Sequence, residues 1–119
     1  MPLRQMTEEG LKTRVRSCTL KIGVARRQND TQTLTALRDR RALATRKLAE
    51  RHNVWTLINP EGHTEFVDYA EWEHRMLAWA RRNRIVSESD VPAVVATMRR
   101  MAAGFDAARQ TPPAAPPTA

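Results

Sequence analysis

A chain of 119 residues, 41% of them hydrophobic, suits one small domain with a modest core and is too apolar to be wholly disordered. Its single cysteine excludes an internal disulfide, no apolar run is long enough for a membrane span, and the N-terminus lacks a signal-peptide core. The expected setting is therefore reducing and cytoplasmic. The net charge of +7 is unevenly spread. Residues 1–53 hold 13 Lys+Arg against 5 Asp+Glu, residues 54–86 hold 4 against 5, and residues 87–119 hold 3 of each. All the excess lies in the first half, where it attracts polyanions whatever the fold.

The first element reads as a helix. Thr7 stands at an N-cap position, with Glu8 and Glu9 in the first turn near the positive end of the helix dipole. Leu11, Val15, Cys18, Ile22 and Ala25 then recur at helical spacing. A strand pattern over Cys18, Leu20, Ile22 and Val24 competes, but it covers fewer residues. Asn29 or Asp30 caps the next helix, in which Leu34, Leu37, Ala44 and Leu48 share a face with Arg41 on the same stripe. The pair forms an antiparallel helical hairpin over residues 7–52. Arg41 is expected at the edge of its seam, with its stem on apolar surface and its charge leaving toward solvent.

Two short strands follow over residues 54–67. Their link, Asn59-Pro60-Glu61-Gly62, has the residue preferences of a type I turn. Two strands alone are marginal, so Trp55, Leu57, Ile58, Phe66 and Val67 must pack on helices. The strand pair is expected to clasp two helical pairs together. Asp68 and Glu71 have the form of a capping box for a helix over residues 69–83. Ser89 is the expected cap of a last helix over residues 90–104, with Val94, Met98, Met101 and Phe105 on one face. Residues 1–109 make the single domain. Residues 110–119, rich in Pro and Ala, read as a disordered tail. The fold class is mainly α.

Chemistry finds little support. His52, His63 and His74 match no metal-ligand spacing, no Cys pair assists them, and there is no phosphate-binding Gly loop or nucleophile elbow. Turn and capping roles account for Glu61, Asp68 and Glu71. The expectation is a binding protein without enzymatic activity, cofactor or metal.

The basic hairpin points to nucleic acid, DNA or RNA. Arg38, Arg40, Arg41, Lys47 and Arg51 on the second helix, with Arg26 and Arg27 at the end of the first, are the candidate contacts. A basic helix followed by a β-hairpin resembles the helix-then-wing order of winged-helix proteins. The acidic turn and the long second helix depart from that pattern, so backbone binding without sequence preference is the expectation. The alternative is a small protein-binding adaptor or inhibitor of phage or mobile-element type, with Trp55, Glu61, His63 and Glu65 as its contact surface. A homodimer through the helical hairpin fits both. The excess of 17 Arg over 3 Lys is common in GC-rich genomes, an association with bacteria and mobile elements.

Overall fold

A computed structural model describes residues 2–110. After a single 3-10 turn at Leu3–Gln5, the order is α1 (Glu8–Arg27), α2 (Thr31–His52), β1 (Trp55–Ile58), β2 (Thr64–Val67), α3 (Tyr69–Arg82) and α4 (Val91–Gln110). The fold is mainly helical with one antiparallel β-hairpin, in which Trp55 pairs with Val67 and Ile58 with Thr64. Residues 18–24 are helical, so the longer periodicity prevails over the competing strand pattern.

Local chemistry sets most of the boundaries. The Thr7 hydroxyl accepts the Gly10 amide at 3.1 Å, Asp30 accepts that of Thr33 at 3.1 Å, and Asp68 that of Glu71 at 2.9 Å. Each satisfies an amide that has no partner within its helix. Asn29 and Asn53, both at φ 53°, end α1 and α2 in the left-handed region, where a short amide side chain is tolerated. In the strand link the Gly62 amide reaches the Asn59 carbonyl at 2.8 Å, and the Asn59 side chain accepts the His63 amide at 2.9 Å. Gly62 sits at φ 84°, a conformation that favours glycine.

Two sequence expectations need correction. Helix α4 starts at Val91, which leaves Asp90 rather than Ser89 immediately before it; Ser87 donates to the Asp90 carboxylate at 2.8 Å. It also runs on through Gly104 to Gln110. Past Gly104, Phe105 packs in the aromatic cluster around Trp55. Arg109 donates to the Ala49 and Glu50 carbonyls at 2.7 and 2.9 Å. These contacts outweigh the helix cost of one glycine, roughly 1 kcal/mol. Gln110 therefore belongs to α4, and the rest of the expected tail lies outside the described residues.

The core has three clusters. Leu11, Val15, Ala44 and Leu48 are fully buried where α1 crosses α2, with Phe66 of β2 against them. Cys18, Ile22, Ala25 and Leu37 continue the seam toward the α1–α2 turn. In the third, Ala49, Trp55 and Ala102 are buried beside Val67, Tyr69, Trp72 and Phe105. Trp55 meets Trp72 at 4.6 Å and Tyr69 edge-on at 5.1 Å, separations at which aromatic pairs attract beyond their buried area. With Phe66 in the first cluster and Trp55 in the third, the β-hairpin joins the α1–α2 pair to α3 and α4.

Helix α3 has no buried residue. It is held at its start by the aromatic cluster and along its length by ion pairs. Glu73 takes the Arg99 guanidinium of α4 at 2.9 and 3.1 Å and the Tyr69 hydroxyl at 2.6 Å. Burial, reinforced by that carboxylate, pushes the Tyr69 hydroxyl up to about 12. On its other flank, Arg75 makes a two-pronged pair with Glu65 of β2 at 2.7 and 3.2 Å.

Candidate nucleic-acid interface

The hairpin treats its basic residues differently at its two ends. At the base, close to β1, most cations are occupied, Arg14 being without a carboxylate partner among the described residues. Arg46 and Lys47 both pair with Glu50, Lys12 pairs with Glu8 and Glu9, and Arg51 donates to the Leu3 carbonyl at 2.9 Å. Lys47 and Arg51, two of the expected nucleic-acid contacts, are thus engaged in the fold. The reason lies in helical spacing and in a contact 48 residues distant: Glu50 stands three residues after Lys47, and the N-terminal turn folds over Arg51.

Toward the tip, from Arg41 midway along α2 outward, the opposite holds. Among the described residues no carboxylate pairs with Arg26, Arg27, Arg38, Arg40 or Arg41. All but Arg41 are exposed. Arg41 lies at the seam edge, as its stripe position predicts, and donates to the Thr19 hydroxyl at 3.3 Å. That hydroxyl also accepts from Thr64 at 3.4 Å and donates to the Val15 carbonyl at 3.0 Å, tying α1, α2 and β2 at one point. The Arg41 pKa is lowered. Burial is the largest cause, Cys18 opposes it, and Arg38 and Arg26 add to it. Arg38 and Arg26 thus add positive potential at Arg41, which sits midway along α2. A guanidinium keeps its proton under such repulsion, so the cluster stays positive and unneutralised. Arg40 stands about 100° around the helix from Arg41, on the flank that also carries Lys47.

Arg41 also forms one wall of a groove of about 1220 Å³. Its floor is β1, from Thr56 to Ile58, with Asn59 and Pro60 at the end. The far wall is α3, where His74, Arg75, Ala78, Trp79 and Arg82 face the opening. Among the lining residues there is no Asp or Glu. Trp79 is 46% exposed and Ile58 47%. The Thr56 hydroxyl in the floor is buried without a hydrogen-bond partner. Sequence reasoning did not join the α3 residues of this wall into one site. Their signal was present as Arg75, Trp79 and Arg82 at i, i+4 and i+7, one face of a helix.

The contact surface of the alternative reading separates. Trp55 is buried, 5% exposed, with its indole N–H on the Asn53 side chain at 2.9 Å; it is a core residue and presents no surface. Its alternating strand position and the need of a small domain for large side chains account for this. Glu65 is half-buried in its pair with Arg75, while Glu61 and His63 stand exposed at the turn. His52 and His74 are exposed as well, and among the described residues no three His, Cys, Asp or Glu side chains gather as metal ligands would. No described helix is long and apolar enough to cross a membrane. No protein-family model, curated protein or solved structure matches the chain.

Proposed function

We propose that the protein is a non-enzymatic nucleic-acid-binding protein that grips the phosphate backbone of DNA or RNA with the tip of its helical hairpin. The observation that carries this reading is that Arg26 and Arg38 are exposed, have no carboxylate partner among the described residues and add positive potential at Arg41, midway along α2. That repulsion is a cost in the free protein, and an array of phosphates relieves it while releasing condensed counterions. Arg27 and Arg40 widen the positive surface beside the cluster. Guanidinium groups suit the task, since each offers a planar fork of donors to phosphate oxygens.

Fluorescence anisotropy with labelled DNA and RNA, titrated across salt, tests the proposal. The expected result is micromolar or tighter binding at low salt, with log affinity falling linearly in log salt. A slope equivalent to about three to five phosphate contacts would match the tip arginines. No binding at low salt to single-stranded or duplex DNA or RNA would overturn the reading.

A further inference from the structure

Resting on that reading, we infer that the groove between Arg41, β1 and α3 receives an unpaired nucleic-acid strand, with Trp79 as the platform on which a base stacks. The groove opens beside Arg41, where Arg26 and Arg38 add positive potential, so a strand drawn to those arginines has Arg41 in common with the groove. Arg82 meets the strand on the α3 side, and no carboxylate in the lining repels it. The size favours a chain over a compact ligand: about 1220 Å³ exceeds the roughly 300–1,000 Å³ of a small-molecule site.

Trp79 selects the unpaired form. Of the three tryptophans, Trp55 is buried and Trp72 half-buried against it, whereas Trp79 is 46% exposed at the groove. Large apolar surface left open beside Arg41 and Arg82, with Arg75 already held by Glu65, matches a ligand that is anionic along its edge and flat and apolar on its faces. A single strand has both properties. A duplex has the same phosphates but keeps its base faces inside its own stack. Positive grooves combined with exposed aromatic side chains are the usual means of holding single strands.

The test compares a labelled single strand of about 12 nucleotides with its duplex, using wild-type protein, Trp79→Ala, Trp79→Phe and Arg82→Ala. Trp79 packs in none of the three buried clusters, and circular dichroism checks that each variant stays folded. The single strand should bind wild-type protein more tightly than the duplex does. Trp79→Ala should weaken the single strand about tenfold or more while leaving the duplex unchanged, and Trp79→Phe should restore most of the loss. Arg82→Ala should weaken the single strand several-fold. Equal affinity for single strand and duplex, with Trp79→Ala silent, would overturn the inference yet leave the arginine tip as a backbone clamp. Binding of polyglutamate at the same salt with the same dependence on Trp79 would also overturn it, assigning the groove to acidic peptide. Absence of all nucleic-acid binding would remove both the inference and the function it rests on.

Discussion

The two ends of the α1–α2 hairpin have similar compositions and opposite uses for their charge. At the base, Lys12, Arg46, Lys47 and Arg51 are paired with carboxylates or bonded to a carbonyl, above a cluster whose four members have no exposure at all. Toward the tip, five arginines lack carboxylate partners among the described residues, and the cluster beneath them, also of four residues, has every member slightly exposed. Charge counted over residues 1–53 merges these two populations. The structure separates cations engaged in the fold from cations without a carboxylate partner among the described residues. Net charge alone therefore does not say which cations are free to meet a partner; the contacts of each one do.

The comparison is broken most forcefully through the core. Leu48→Ala at the base should cost about 2–5 kcal/mol in chemical denaturation. Leu37→Ala at the tip should cost less, since it leaves a cavity in a looser cluster. Equal losses would mean that the tip is as firmly packed as the base.

A smaller effect is expected at the contact that fastens α4 to the base. Arg109→Ala leaves the Ala49 and Glu50 carbonyls without their cationic donor and should cost about 1–3 kcal/mol. Amide exchange should rise in the last turn of α2 and the last two turns of α4. The tip should be unaffected, which makes exchange at Ala25 and Leu37 the internal control.

Acid sharpens the same contrast. The Glu50 pKa is lowered: burial works against ionisation, and Arg46 and Lys47 together outweigh it. Arg99, then the Tyr69 hydroxyl, lower that of Glu73. A carboxyl depressed in the folded state binds its proton less tightly there than when unfolded. Its contribution is therefore complete above the ordinary value of 4.5 and lost as pH falls through the folded value. The melting temperature should hold from pH 7 to about 5 and drop below about 4.5. In Glu50→Gln that acid-induced drop should be shallower. A wild-type melting temperature unchanged down to pH 3 would show that the base pairs contribute nothing.

Much of the scaffold was legible because it is written locally. The caps at Thr7, Asp30 and Asp68, the Asn59–Gly62 turn and the stripe from Leu11 to Ala25 each need only a few neighbouring residues. What escaped depends on partners far along the chain. Arg109 reaches back 60 residues to extend α4, and Arg51 reaches 48 residues to the N-terminal turn. The candidate site is a mixed case. Arg26, Arg38 and Arg41 could be named from charge alone. The wall of Arg75, Trp79 and Arg82 became visible only when the β-hairpin set α3 opposite α2.

The central claim is that the tip, and not the base, holds the ligand, and one pair of single-charge changes on α2 tests it. Arg38→Gln and Arg46→Gln each remove one positive charge from an exposed position, eight residues apart on the same helix. Neither should shift stability by more than about 1 kcal/mol. In salt-titrated anisotropy with a labelled single strand, Arg38→Gln should weaken binding several-fold and reduce the salt slope by about one. Arg46→Gln should leave affinity within about twofold, because its charge is already committed to Glu50. Equal losses from the two substitutions would contradict the account, since the protein would then be responding to total charge and not to a site at the hairpin tip.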